Sequence, residues 1–225
     1  MTTAIYYLSI LHRKLIMELE RLKLKAAEAD FLRRFPGGFA DPEMQAIGKK
    51  HGMGKMVTMA EELFSKKALK DIDASAENMI KMVSRSSMVS MFEKPKFRDF
   101  VRCLSTGDRT YLVKALAELL HGQQQSGFEA LVDILQTEKL AKWSLISIIP
   151  AYYAPTEEVF VKPTTAKNVI NFFAVPDLVY KPLPSWEFYT GYRDLINNSK
   201  DSVDSSLSPS NAAFSGFLMM TMVPQ

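Results

Sequence analysis

Cysteine and histidine, the side chains that most often bind metals or form covalent cross-links, are scarce in this chain of 225 residues. There is one cysteine, Cys103, and there are three histidines, His12, His51 and His121. A single cysteine excludes an intramolecular disulfide, and no histidine has a second ligand at a zinc-binding spacing. The sequence therefore predicts no metal centre and no cofactor, and it fits a reducing compartment such as the cytoplasm.

Long apolar runs are missing as well. A membrane-spanning helix needs roughly 20 apolar residues, and the longest candidate, residues 143–154, is interrupted by Pro150. The apolar run at residues 4–11 has no positive charge before it and no small-residue cleavage site after it, so it does not resemble a secretory signal. We therefore expect a soluble, cytoplasmic protein with no membrane partner.

Recognisable catalytic motifs are a third absence. The sequence contains no nucleophile elbow, no HExxH pair and no dinucleotide fingerprint. Cys103 stands beside Val101 and Leu104 on the apolar side of a predicted helix, which favours a small buried side chain over a catalytic thiolate. The sequence therefore favours a protein that is not an enzyme.

A modest excess of positive charge is present, and it lies in the N-terminal part. The formal net charge is +3 and the pI about 8.8. Residues 1–60 carry ten Lys and Arg against six Asp and Glu, whereas the rest of the chain is close to balanced. A polyanionic ligand is therefore expected near residues 1–60, although a solvated helical face explains the same excess.

The first predicted helix spans residues 5–29. Leucines recur along it every three or four residues, which is helical spacing: Leu8, Leu11, Leu15, Leu19 and Leu22. Three of them, Leu8, Leu15 and Leu22, are seven residues apart, as in a coiled-coil seam, so a homodimer through this helix is one prediction. The alternative is a long helix that packs on its own domain.

Helical spacing of apolar residues continues through most of the chain. It predicts an all-α protein, a multi-helix bundle of about nine to eleven helices, with at most one short extended segment near 158–161. We expect a single domain over residues 1–225. If the chain divides, the boundary falls near Pro95, between N-terminal helices in 1–94 and a C-terminal bundle in 95–225.

Local signals predict where several helices begin and end. Asp41-Pro42 is an N-cap followed by proline at the first helical position, and Ser185 is a second N-cap. Gly48, Gly52 and Gly54 predict a poorly helical stretch, and Pro150 predicts the end of a helix.

The glycine-rich stretch 48–55 is also the first candidate binding segment. Its spacing does not fit a P-loop, because Lys49 and Met56 stand where that motif needs glycine and Ser or Thr. Its basic residues are nevertheless candidates for contact with a phosphate backbone, together with two preceding arginines: Arg33, Arg34, Lys49, Lys50 and Lys55. The alternative is a flexible connector between helices.

Residues 160–192 hold the second candidate site. Lys162 precedes a predicted helix start whose free N–H groups favour an anion, and Thr164, Thr165 and Lys167 lie on its first turn. Further along, three side chains share one helical face and provide two aromatic rings and a guanidinium for stacking: Trp186, Tyr189 and Arg193. The alternative is that this stripe belongs to the core.

Three runs in the C-terminal part resemble a segment of an uncharacterised family of bacterial helical proteins. They are Val159-Phe-Val-Lys-Pro-Thr-Thr-Ala-Lys-Asn-Val-Ile170, Trp186-Glu-Phe-Tyr189 and Phe217-Leu-Met-Met220. The resemblance implies a bacterial, intracellular setting. It also associates the chain with restriction or other DNA-processing systems.

Three hypotheses about function follow. A non-catalytic interaction protein, with a protein partner or a second copy, is favoured by the leucine pattern and by the absence of a catalytic set. A nucleic-acid-associated protein would use the basic residues of the first 60 positions and the start of the helix after Lys162. An enzyme with an unfamiliar site would need a pocket around Lys162, Trp186, Tyr189 and Arg193.

Overall fold

The fold is all-α, as the sequence predicts. A computed structural model describes Leu19, residues 21–175 and residues 177–222. Over these residues the chain forms eleven α-helices and no strand. The helices are α1 (21–34), α2 (Pro42–His51), α3 (Met53–Leu63), α4 (Ile72–Arg85), α5 (Glu93–Cys103), α6 (Thr106–His121), α7 (Gln124–Gln136), α8 (Trp143–Tyr153), α9 (Pro163–Phe172), α10 (Trp186–Lys200) and α11 (Asn211–Met222).

Helix α8 lies at the centre of the molecule. Its sequence, WSLISIIPAYY, contains no charged residue, and nine of its 11 residues are buried. It packs against α3, α4, α6 and α7. Because a helix that is apolar all round must be covered on every side, the other elements are arranged around α8.

One continuous core joins the two sides of Pro95. Helix α4, which precedes it, packs against α5, α6 and α8, which contain or follow it. Pro95 itself is the third residue of α5 and does not separate two elements. A proline is tolerated in a first turn because the N–H group there has no partner within the helix.

Two other sequence-based expectations about breaks are wrong. Gly48 and Gly54 lie inside α2 and α3, and only Gly52 lies between these helices, in the left-handed conformation with φ 62°. Pro150 lies inside α8, which continues to Tyr153. Glycine or proline inside a helix costs a few kcal/mol at most. The packing of these helices in the core outweighs that cost.

Helix α1 packs on its own domain through residues that the leucine pattern did not mark. The buried ones are Leu24, Ala27 and Phe31. Leu19 and Leu22, which belong to the leucine pattern, are 49% and 58% exposed. Leu8 and Leu15 lie outside the described residues. The homodimer through this helix therefore stays a prediction.

Helices α6 and α7 form a tight antiparallel hairpin. Gly127 of α7 lies directly against the backbone of α6, so that a Cβ at this position would stand 2.2 Å from the Leu119 nitrogen and 2.6 Å from the Ala115 oxygen. Only glycine allows this separation, and Gly127 is therefore a packing residue.

Candidate functional site

An open groove of about 900 Å³ lies where α2 meets α3. We call it the lysine groove. It is lined by Lys49, Lys50 and His51 from the end of α2, by the first turn of α3 including Lys55, and by Arg85 from the end of α4. The groove thus brings together three of the predicted phosphate-contacting lysines and adds an arginine that the sequence did not indicate.

The described lining of the lysine groove contains basic side chains and neither Asp nor Glu. Within the described residues, Lys49, Lys50, Lys55 and Arg85 form no ion pair, although seven other ion pairs are present. Like charges gathered in one concavity produce a positive potential that attracts anions.

Gly52 creates this geometry. With φ 62° it ends α2 and immediately starts α3, so the basic last turn of α2 and the first turn of α3 lie side by side. No side chain caps the N-terminus of α3. Its free N–H groups therefore add partial positive charge to the groove.

Two smaller cavities extend the groove. The middle cavity, about 350 Å³, shares His51 and Ser87 with the lysine groove and is also lined by Lys162 and Thr165. The Nδ1 atom of His51 and the Oγ atom of Ser87 are 3.1 Å apart, so their hydrogen bond forms part of the boundary between the two.

The aromatic cavity, about 290 Å³, continues from the middle cavity and shares Met88, Phe160 and Lys162 with it. Tyr180 and Lys142 complete its lining on the far side. We call the three adjoining cavities the trough. Among the described residues that line the trough, Glu93 is the only carboxylate.

Helix α8 holds the walls of the trough in place through three side chains. Tyr152 is hydrogen-bonded to Ser86, between Arg85 and Ser87 (O–O 2.9 Å). Ser147 accepts from the N–H of Val161 (3.0 Å), which places Phe160 and Lys162. Trp143 donates to the carbonyl of Lys181 (2.7 Å), beside Tyr180. Tyr152 and Trp143 are nine residues apart, about 14 Å along a helix, so these hydrogen bonds are spread over most of α8.

The remaining predicted phosphate contacts lie elsewhere. Arg33 and Arg34 are at the end of α1, and both pair with Asp30. Neither lines the trough. The structure therefore separates these arginines from the three lysines with which the sequence grouped them.

The helix start after Lys162 is present, but only part of it faces the trough. Pro163 begins α9, and Lys162 is its N-cap without a side-chain cap. Lys162 and Thr165 line the trough, whereas Thr164 is exposed outside it. Lys167 lies over the ring of Tyr180, 5.0 Å from its centroid.

Trp186, Tyr189 and Arg193 form a packed interior rather than an open platform. Arg193 lies 5.6 Å and 5.7 Å from the ring centroids of Trp186 and Tyr189. Tyr189 is fully buried and stacks on Phe128 at 5.2 Å. None of the five cavities described for this chain is lined by these three residues.

Glu158 is the centre of this interior cluster. Its carboxylate accepts hydrogen bonds from Tyr189 Oη (2.7 Å), Arg193 Nη1 (2.8 Å) and Gln124 Nε2 (3.1 Å). Its backbone carbonyl accepts from Asn211 Nδ2 (3.1 Å). The network joins α7, α10 and α11 to the connection before α9, so we expect it to stabilise the fold.

The buried tyrosines around these sites resist ionisation. Burial, reinforced by the charge of Glu158, raises the pKa of Tyr189 well above its ordinary value. Burial also raises the pKa of Tyr192, whose hydroxyl has no hydrogen-bond partner of regular geometry among the described residues. The nearby Ser215 hydroxyl offsets only part of that effect on the pKa of Tyr192.

The expectation that Cys103 is buried is wrong. The side chain is exposed at the end of α5 and lines a separate cavity of about 590 Å³ with Lys96 and Asp99. The buried face of α5 consists of Phe97, Phe100 and Val101. Cys103 falls outside this face because the helical period places residue 104, not 103, in line with it.

Both ends of the trough were predicted from the sequence as separate candidates, but their union was not. Arg85 and Ser87 follow Lys55 by some thirty residues, and no local pattern connects them. The signal that the sequence does contain is the basic last turn of α4, which by itself fits the helix dipole equally well.

Comparisons of the chain with models of protein families, with curated proteins and with solved structures find no match. Within the described residues, no helix combines the length and apolarity needed to cross a membrane. The described residues also contain no cluster of three or more His, Cys, Asp or Glu side chains suited to a metal ion.

Proposed function

We propose that this chain is a non-catalytic binding protein that holds a nucleic acid by its phosphate backbone in the trough. The observation that carries the proposal is the set of cations in the lysine groove, Lys49, Lys50, Lys55 and Arg85. Among the described residues they form no ion pair, and no carboxylate lines the groove with them. Phosphate contacts of this kind supply most of the affinity of sequence-independent binding.

The adjoining cavities of the trough support a long ligand rather than a single anion. Cations follow one another from the lysine groove through Lys162 to Lys142. A nucleic-acid strand carries a phosphate on every nucleotide. A series of spaced cations matches that series of spaced charges.

Helix dipoles offer a competing explanation. Lys49, Lys50 and His51 occupy the last turn of α2, and Arg85 the last turn of α4, where cations stabilise a helix by about 0.3–1 kcal/mol. That explanation does not cover Lys55, which lies in the first turn of α3, where a cation is unfavourable. The position of Lys55 therefore favours a ligand.

The decisive experiment is fluorescence anisotropy with labelled DNA and RNA oligonucleotides across a salt titration, on protein freed of carried-over nucleic acid. We expect binding that weakens steeply with salt. The triple substitution Lys49→Ala, Lys50→Ala and Lys55→Ala should lower the affinity and reduce the log–log salt slope by about two, at about 0.7 per phosphate contact on a single strand.

The matched control removes three lysines at the opposite end of α3: Lys66→Ala, Lys67→Ala and Lys70→Ala. All three side chains are exposed and lie outside the trough. The change in net charge is identical, so a general charge effect would weaken binding equally in both variants. Such equality, or no binding at low salt by the unmodified protein, would overturn the proposal.

A further inference from the structure

The character of the trough changes along its length. The lysine groove is lined by four unpaired cations, whereas the aromatic cavity is lined by Phe160, Tyr180 and Met88 between Lys142 and Lys162. A surface that binds only phosphates has no need of aromatic side chains. The lining therefore points to a ligand with both charged and flat apolar parts.

Exposed apolar side chains are sequence neighbours of residues that line the aromatic cavity. Met91 and Phe92, which are 73% and 76% exposed, occupy the turn between two cavity-lining residues, Ser90 and Glu93. Val179 and Leu183 are 63% and 49% exposed and flank the lining residues Tyr180 and Pro182. Exposed apolar side chains that gather on one surface are typical of a binding site.

We infer that the ligand is a single-stranded nucleic acid whose phosphates follow the trough cations while its bases stack on Phe92 and enter the aromatic cavity. This inference rests on the proposed function and specifies its ligand. A duplex keeps its bases stacked inside the helix, and it cannot present their faces to Phe92. A single strand can do so, and stacking on aromatic side chains is tolerant of sequence.

The experiment compares three ligands of equal length: a twelve-residue oligothymidylate, an abasic strand with the same phosphates, and a blunt duplex. At moderate salt we expect the oligothymidylate to bind at least about tenfold more tightly than the abasic strand. Phe92→Ala should weaken oligothymidylate binding by about tenfold and abasic binding by less than about twofold.

Phe92 suits this test because a side chain that is 76% exposed contributes little to the core. Tyr111→Ala is the matched control, since Tyr111 is also exposed, at 47%, and does not line the trough. It should leave the affinity for all three ligands unchanged. Circular dichroism is the measurement that checks whether both variants are folded.

The outcomes separate the two proposals. Equal affinity for oligothymidylate and the abasic strand, with no effect of Phe92→Ala, would overturn the inference and leave the proposed function standing; the apolar rim would then serve another partner, such as an apolar protein segment. Tighter binding of the duplex would overturn the single-strand assignment. No binding of any ligand at low salt would overturn the proposed function itself.

Discussion

Glu158 and Arg193 form an ion pair that is almost withdrawn from solvent, with side-chain exposures of 8% and 17%. The attraction between two opposite charges that are buried together offsets the cost of removing them from water. If one of them is lost, the other remains as an unpaired buried charge. The remaining acceptor positions of the carboxylate are used by Tyr189 and Gln124. Substitution of Glu158 therefore tests whether this network stabilises the fold.

Glu158→Ala should lower the free energy of unfolding by about 3–5 kcal/mol, because Arg193 is left as an unpaired buried charge. Urea denaturation measures the change. The control is Glu157→Ala, at an exposed neighbour whose removal should stay within about 0.5 kcal/mol. Similar effects of the two substitutions would show that the network does not hold the fold.

Among the helices, the hairpin of α6 and α7 depends most on a single position. Gly127 leaves no room for a Cβ between the two backbones. The neighbouring atoms belong to the backbone of α6 and cannot change rotamer as a side chain can. An added methyl group must therefore push the two helices apart.

Gly127→Ala is therefore expected to destabilise the protein by about 1–3 kcal/mol or more, despite the better helix propensity of alanine. Chemical denaturation again provides the measurement. Gly107→Ala in the first turn of α6 is the control, because its nearest neighbour would be 3.8 Å away and alanine gains about 0.5–1 kcal/mol there. A stabilising Gly127→Ala would contradict the close packing.

The sequence predicts helix starts well and helix interruptions poorly. Asp41 and Ser185 cap α2 and α10 as predicted, because an N-cap is a local interaction between one side chain and nearby N–H groups. Gly48 and Pro150 were predicted to break helices that in fact continue. The cost of glycine or proline inside a helix is small compared with the free energy that the whole helix gains from burial. A short stretch of sequence does not show that burial.

The same distinction applies to the trough. Lys49, Lys50 and Lys55 stand close together in the sequence and were predicted as a group, whereas Arg85 joins them only through the packing of α4 against α3. Trp186 and Tyr189 are spaced equally well for a binding face and for a core face. Only the tertiary structure decides between the two, and it places Tyr189 in the core.

The stability of the whole molecule should depend on pH in the alkaline range. The pKa values of Tyr189 and Tyr192 are raised in the folded protein, mainly by burial. In the unfolded chain these tyrosines ionise near pH 10, while in the folded chain they stay protonated. The unfolded state therefore binds fewer protons above about pH 10, and stability falls as the pH rises towards the folded pKa.

We expect a free energy of unfolding that is insensitive to these groups below about pH 9. Above about pH 10 it should fall by up to about 1.4 kcal/mol per pH unit for each tyrosine. Denaturation curves between pH 8 and about pH 11 test this. Tyr192→Phe should make the fall less steep, and Tyr111→Phe, at an exposed position, should not change it. An unchanged slope in Tyr192→Phe would contradict the assignment.

Helix α8, uncharged and buried, packs against α3 and α4, the helices that carry Lys55 and Arg85. An apolar wall polarises far less than water, so it does not weaken the field of these charges, and the field lines leave through the open side. For the proposed ligand, we expect this field to draw in and orient a polyanion before any contact forms. We therefore predict that the core of this protein affects the rate of association as well as the stability of the fold.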